Sequence, residues 1–208
     1  GSDGKMYLQS RGHFLNGGYG EKQFDLFKRW AGGYQSQLWD ILGDRYIMYG
    51  EWMYAKHTVF YDRLPHYFME FDIFDKKERQ FFSTAKRKEI LGLAPFVHSV
   101  LVLEEGRYES LEEITKCIGH SHFISNNPRK SLEEQCEKGR VRLEQTLLQT
   151  DLCGVMEGIY IKVEEKDYVI DRLKYVRPTF LNAILDSESH WMARPIVENK
   201  LAGGASLF

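Results

Sequence analysis

Cysteine and proline are scarce in this chain, and long apolar runs are missing from it. Three cysteines, Cys117, Cys136 and Cys153, are too few and too irregularly spaced for a disulfide framework, and no CxxC pair suggests a zinc site. A reducing, cytoplasmic compartment is the expectation. No apolar stretch is long enough to span a bilayer and no signal-peptide pattern opens the chain, so no membrane association is expected. An excess of one charge is missing too: 28 Lys and Arg stand against 30 Asp and Glu, a net charge of −2. That excludes a polycation coating nucleic acid nonspecifically. Any polyanion contact must come from local clusters of Lys and Arg.

What is present suits a globular fold. A chain of 208 residues with 43% hydrophobic and 14% aromatic content buries a large core, as one domain or two small ones. No repeat or low-complexity linker marks a boundary. Residues 5–11 read as a short strand. Residues 21–43 read as helical, with Phe24, Phe27, Leu38, Ile41 and Leu42 at helical spacings and Gly32-Gly33 as a break. Residues 46–59 and 67–74 are strand-like runs expected to pair through Asp62-Arg63-Leu64-Pro65 and to lie centrally in a sheet. Another β-like run covers 96–103.

Ser110 and Ser131 each precede a Glu by three residues, as in a capping box, and 131–149 reads as the clearest helix, after a plain turn at Asn126-Asn127-Pro128. Strands return at 155–164 and 168–176, joined through Glu165-Lys166-Asp167. Pro178 then opens a helix to about 189, and 201–208 reads as a frayed tail. Antiparallel strand pairs with helices between them predict an α+β fold rather than a parallel doubly wound one.

Within this frame some polar residues stand out because burying them is costly without a partner. Glu51 follows Gly50 among aromatics, so its carboxylate needs a hydroxyl such as a ribose offers, or an internal Lys or Arg. Alternation in 67–74 puts Phe71 with Met69 and Ile73 on one face and Glu70 with Asp72 on the other. Phe71 can stack on a purine or serve the core. Glu157 and Lys162, five apart, fall on opposite faces, leaving Glu157 for a metal or hydroxyl and Lys162 for a phosphate. Arg172 and Lys174 share a face, where their repulsion is relieved by a phosphate or by solvent.

Taken in order, Ser10-Arg11-Gly12-His13, Tyr49-Gly50-Glu51, Phe71-Asp72-Ile73, Glu157-Gly158-Ile159-Tyr160-Ile161-Lys162 and Arg172-Leu173-Lys174-Tyr175-Val176-Arg177-Pro178 resemble motifs Ia, III, IIIa, IV and V of the covalent nucleotidyltransferase superfamily. The likeness, over about residues 6–180, is closest to ATP-dependent RNA ligases of the phage RNA ligase 2 type. It implies a nucleotidyltransferase fold of antiparallel sheets with flanking helices and a central nucleotide cleft. It also implies a three-step reaction: a lysine attacks the α-phosphate of ATP, AMP passes to an RNA 5′-phosphate, and a 3′-hydroxyl displaces AMP, with Mg2+ neutralising phosphate charge.

Carried over, the resemblance gives Arg11 the phosphate or ribose region, Glu51 the ribose hydroxyls, Phe71 the adenine, and Glu157 the metal. Lys162, Arg172 and Lys174 surround the α-phosphate, and Glu157, Lys162, Arg172 and Lys174 form the catalytic set. Arg172 stands where many relatives have lysine, which keeps charge and changes geometry. The family's Lys-x-Asp-Gly nucleophile motif does not occur in these residues. Asp3-Gly4-Lys5 reads as the hairpin turn after it, so the motif is expected just before Gly1, and the 208 residues as a single, N-terminally incomplete nucleotidyltransferase domain that does not adenylate itself. The partners implied are ATP or AMP and RNA with 5′-phosphate and 3′-hydroxyl ends. The alternatives are a DNA ligase or guanylyltransferase-like member of the superfamily, and a noncatalytic nucleotide- or RNA-binding module.

Other clusters carry less. His120 and His122 lack a third metal ligand at a recognised spacing, and no neighbour in sequence activates Cys153. The mixed charges from Ser131 to Arg142 read as a solvated helix face with RNA contact as the alternative. Lys76, Lys77, Arg79, Lys86, Arg87 and Lys88 read as a solvated basic loop or, alternatively, as a phosphate-backbone contact.

Overall fold

A computed structural model describes residues 1, 3–18, 21–185 and 195–208. Phe27, Trp30, Ala31, Tyr34, Leu38 and Ile41 fall at helical spacing and form one apolar stripe. The stripe is carried by two helices, α1 (Asp25–Gly33) and α2 (Gln35–Leu42), with the break beside Gly32-Gly33 as expected. It packs on an antiparallel sheet of β1 (Tyr46–Trp52), β2 (Phe68–Asp75), β3 (Gln80–Phe82), β5 (Gly158–Glu165) and β6 (Tyr168–Val176). Their order is β1-β2-β3-β6-β5, and the two-residue β4 (His98–Ser99) pairs in parallel with β2. Helices α3 (Thr84–Leu91), α4 (Leu111–Thr115), α5 (Pro128–Gly139), α6 (Leu143–Leu148) and α7 (Pro178–Leu185) flank it. The mixed architecture with an antiparallel sheet agrees with the α+β expectation.

Several local expectations are corrected. Residues 5–11 form no strand. Gln9 only bridges Phe14 across a tight turn at Ser10–His13. The 46–59 run pairs only through Trp52 and lies at the edge of the sheet, because beyond it the chain turns to bond the C-terminal segment, with Lys56 N–H on the Val197 carbonyl at 2.8 Å. The 96–103 run contributes two strand residues. The predicted 131–149 helix is two helices, and Ser131 lies inside the first. The cap is Asn127, whose side chain accepts from Lys130 N–H, with Pro128 at the first position, so the supposed turn is a helix start. Ser110 does cap α4, though the Glu113 carboxylate accepts from Glu109 N–H rather than from Ser110 N–H. The tail is not frayed: Leu64 bonds Lys200 and Ala202 through the backbone, and Leu207 packs against the core. The part of the helix predicted beyond Leu185 lies outside the described residues.

The register of β1 on β2 carries one irregularity that organises everything near it. Tyr49 pairs Asp72 and Gly50 pairs Glu70, so Phe71 has no partner and forms a bulge in β2. A bulge reverses the side-chain alternation beyond it. Phe68, Glu70 and Ile73 therefore face the core, and Asp72 and Phe74 share the outer face with Tyr49 and Glu51. The expected grouping of Glu70 with Asp72 is overturned by that one extra residue. Gly50 sits at the same spot because a Cβ there would lie 2.5 Å from the Phe68 ring and 2.9 Å from the Met69 carbonyl.

On the core side, Glu70 is fully buried against Arg87 of α3 and accepts from the Ser99 hydroxyl at 2.6 Å. Arg87 is thus a core residue rather than part of a basic surface. Lys86 and Lys88 pair Glu89 and Glu105, and only Lys76, Lys77 and Arg79 of the expected cluster form an exposed turn without such pairing in the described residues. Replacing Arg87 by Met leaves a buried carboxylate without its cation, and urea unfolding is expected to show a loss of about 3–5 kcal/mol. A loss below about 1 kcal/mol would mean that the pair contributes no more than an exposed ion pair.

Candidate functional site

The outer face of the sheet gathers side chains from β1, β2, β3, β5 and β6. Its centre is Asp72, whose side chain is fully buried. The Lys162 ammonium lies 2.6 Å from Asp72 Oδ1, the Tyr160 hydroxyl donates to Oδ2 at 2.7 Å, and the Arg172 guanidinium lies 3.5 Å from Oδ2. Lys162 also donates to the Phe71 carbonyl at 2.6 Å, a group whose residue the bulge leaves unpaired on the β1–β2 ladder. Strand alternation puts all three donors on one face of the β5–β6 hairpin, where Tyr160 pairs Lys174 and Lys162 pairs Arg172 in register.

Aromatic rings form the wall between these charges. Phe81 lies 4.9 Å from Phe74 and 5.6 Å from Tyr49 between ring centroids, and the Arg172 guanidinium sits 3.7 Å over the Phe81 ring. Phe71 meets Tyr160 edge-on at 5.9 Å. Burial, then the hydrogen bond to Asp72, pushes the Tyr160 hydroxyl up to about 12, so it stays a donor at neutral pH.

A second part of the face centres on Glu157, just before β5. The Tyr61 hydroxyl donates to its Oε1 at 2.6 Å, and its carbonyl accepts from Arg177 N–H at 3.0 Å. Burial raises the Glu157 pKa above the usual carboxylate range and Glu51 raises it further, while Tyr61, Lys174 and Arg177 act the other way. Glu51 and Lys174 therefore lie within electrostatic reach of Glu157. Tyr61 is pushed well above the ordinary tyrosine range by its burial and by the same carboxylates. Arg177 is itself fixed by Asp151, by the Met156 carbonyl at 2.9 Å and by the Cys153 sulfur at 3.1 Å.

Of the expected site residues, Glu51, Phe71, Glu157, Lys162, Arg172 and Lys174 meet on this face. Arg11 does not: it sits exposed at the tip of the 10–13 turn, and no hydrogen bond or ion pair among the described residues joins it to the others. The repulsion between Arg172 and Lys174 is relieved by neighbouring carboxylates, Asp72 for the first and Glu157 for the second. Asp72, Tyr160 and Arg177 were within the quoted motifs without an assigned role. Tyr61 and Phe81 were missed, since nothing in their sequence neighbourhood sets them apart from core aromatics. Two cavities, of about 350 and 530 Å³, lie near α6 and near Arg177, and neither is lined by Glu51, Phe71, Lys162, Arg172 or Lys174. No group of three or more His, Cys, Asp and Glu able to hold a metal occurs among the described residues, and no helix among them is long and apolar enough to cross a membrane. All three cysteines are unpaired.

One face of the antiparallel sheet thus presents carboxylates, cations and aromatic rings together. A family model described as RNA ligase matches residues 2–176, and the chain belongs to that RNA ligase family. No curated protein and no solved structure matches it.

The shared field of this face is open to direct measurement. Replacing Glu51 by Gln removes a negative neighbour and is expected to lower the Glu157 pKa. Replacing Lys174 by Met removes a positive one and is expected to raise it. Carbon-detected NMR titration of the Glu157 carboxyl reads both shifts, and an unmoved titration in both variants would place these side chains in separate fields.

Proposed function

We propose that this protein is an ATP-dependent RNA ligase of nucleotidyltransferase fold, whose outer sheet face cradles an adenylate. The observation that supports this most is the meeting of Glu51, Phe71, Glu157, Lys162, Arg172 and Lys174, borne on distant segments, around Asp72 and Glu157. Glu51, exposed at the sheet edge, receives the ribose hydroxyls. Phe71, turned out of register by the bulge, offers its ring to adenine, a contact worth about 1–3 kcal/mol. Lys174, Lys162 and Arg172 face the α-phosphate, the last held flat by Phe81 so that its fork of N–H groups is set before the phosphate arrives. Arg11 reaches the phosphates or the ribose from its turn.

Three cations on this face stand against three carboxylates, Glu51, Asp72 and Glu157. The bare face is close to neutral, although its ligand is strongly anionic. That balance, and a carboxylate whose ionisation is opposed by burial and by Glu51, fits a Mg2+ ion held through Glu157, since magnesium needs only one or two carboxylates plus phosphate oxygens and water. When bound it neutralises charge on the phosphates. Tyr61 positions the Glu157 carboxylate for this, and Asp72 with Tyr160 positions Lys162 and Arg172. The family's bond-forming lysine is the one in Lys-x-Asp-Gly, which these 208 residues do not contain; supplied with that motif, the site would have the lysine attack phosphorus with pyrophosphate leaving. AMP then passes to an RNA 5′-phosphate, and a 3′-hydroxyl displaces it. RNA with those two ends is the substrate.

Protein carrying the Lys-x-Asp-Gly motif, incubated with α-labelled ATP and Mg2+, is expected to give an acid-stable labelled protein that seals a nick with a 5′-phosphate in RNA. Lys174→Ala should lower the labelling rate about 10²–10³-fold, as removal of a group acting on developing charge does elsewhere. Because Glu157 takes up a proton at a higher pH than an ordinary glutamate, Mg2+-dependent labelling should fall on acidification before the usual carboxylate range is reached. Absence of label, or sealing of DNA in preference to RNA, counts against the reading.

A further inference from the structure

Outside the proposed nucleotide site, the cavity of about 350 Å³ near α6 has a lining of unusual charge. Lys56, Arg140 and Arg142 contribute cations, Gln145, Thr146 and Gln149 contribute polar groups, and no acidic residue among the described residues lines it. We propose that this cavity is a second RNA subsite, holding a backbone phosphate and its ribose on a strand that leads toward the sealing site. The choice of RNA as ligand rests on the proposed RNA-joining activity.

The local fold explains how the cations come together. α5 ends at Gly139, and Arg140 takes the left-handed conformation, φ 53°, with its N–H on the Cys136 and Glu137 carbonyls. The reversal is completed by Val141 N–H on the Cys136 carbonyl at 2.9 Å, so Arg142 starts α6 beside Arg140. The Lys56 ammonium is fixed at the wall by the carbonyls of His57 and Gln149, at 2.8 and 3.0 Å. Neighbouring charges on α5 are matched within the chain: Arg129 with Glu133, Glu134 with Lys200 and Lys138 with Glu198. Among the described residues no ion pair engages Arg140 or Arg142, although Glu137 and Glu144 lie close in sequence.

The chemistry points to a nucleotide unit more than to a lone anion. The volume is that of a small-ligand pocket and is larger than one phosphate needs. Carboxamides both donate and accept, which matches a ribose 2′-hydroxyl or a base edge next to the phosphate. Position agrees as well. α6 ends at Leu148, shortly before Thr150 and Asp151, and Asp151 holds Arg177 beside Glu157, so a strand lying along α6 leaves the cavity in the direction of the proposed metal residue.

The test uses fluorescent single-stranded RNA, the DNA of the same sequence, and AMP, each titrated over a range of salt. In the double variant R140G/R142Q, glycine suits the left-handed φ and glutamine keeps the bulk, so the fold is spared. RNA affinity is expected to fall at least tenfold and the log–log salt slope to become shallower by about 0.7, the share of one phosphate contact on a single strand. AMP affinity should not change, and R140K/R142K should keep most of the slope. Unchanged RNA affinity and slope in R140G/R142Q overturn the subsite, as does DNA binding as tight as RNA. AMP that binds while the RNA slope stays constant removes this inference alone. A reduced slope in a protein that does not bind AMP keeps the subsite and removes the adenylate reading.

Discussion

The buried carboxylate of Asp72 is the tie on which the site depends. The β5–β6 hairpin joins the rest of the sheet through two residue pairs only, Phe81 with Val169 and Phe82 with Tyr168. So short a seam does not by itself set the angle at which a two-stranded ribbon meets β2, since such ribbons twist readily. Asp72 supplies the missing constraint by taking Lys162, Tyr160 and Arg172 from the far strands at once. A carboxylate at this depth is costly unless paired, and here two cations and a hydroxyl surround it. The same contacts that make it tolerable fix the hairpin.

Charge on the face is balanced rather than saturated, and the balance differs between its two halves. Around Asp72 the cations are held close and partly withdrawn from solvent. Around Glu157, burial and the neighbouring Glu51 act against ionisation, and Lys174 acts for it from a strand whose side chain stays exposed. The first half is therefore a rigid support and the second a place where added positive charge lowers the energy of the site. The proposed phosphate-bearing ligand with its cation would satisfy both at once, because it would give Lys174 an anion and Glu157 a counter-charge.

Legibility in the sequence followed the range of the interaction. The β5–β6 hairpin was readable because alternation and a turn of three charged residues lie within one segment. The two-part helix before β1 was readable because its stripe and its glycine pair are local. The bulge at Phe71 was not, since it exists only as a mismatch between two strands, and it reversed the assigned faces of Glu70 and Asp72. Arg87 read as surface charge because its partner Glu70 is seventeen residues away across the core. The tail read as frayed because its glycines are visible and its bonds to Leu64 are not. Residues chosen from the ordered motifs, Arg11 apart, lie together on one face, since such motifs carry the outcome of folding within short strings. Arg11 shows the limit of that, as a turn tip that no hydrogen bond or ion pair among the described residues joins to the face.

Both outer carboxylates owe their place to a neighbouring glycine. Glu51 follows Gly50, where the backbone of β1 runs against the Phe68 ring at the bulge. Glu157 precedes Gly158, where a Cβ would lie 2.0 Å from the Tyr175 carbonyl. In each case a side chain next to the glutamate would push two strands apart by more than the packing of a sheet allows. The close approach holds the backbone on one side of the carboxylate, and the opposing strand or Tyr61 holds it on the other. The pairs Gly50-Glu51 and Gly158 after Glu157 are therefore structural statements before they are chemical ones: the glycine fixes where the backbone runs, and the acid is presented from it. That explains why the face can keep two carboxylates within range of each other, with their repulsion opposed by backbone packing that neither side chain can relax.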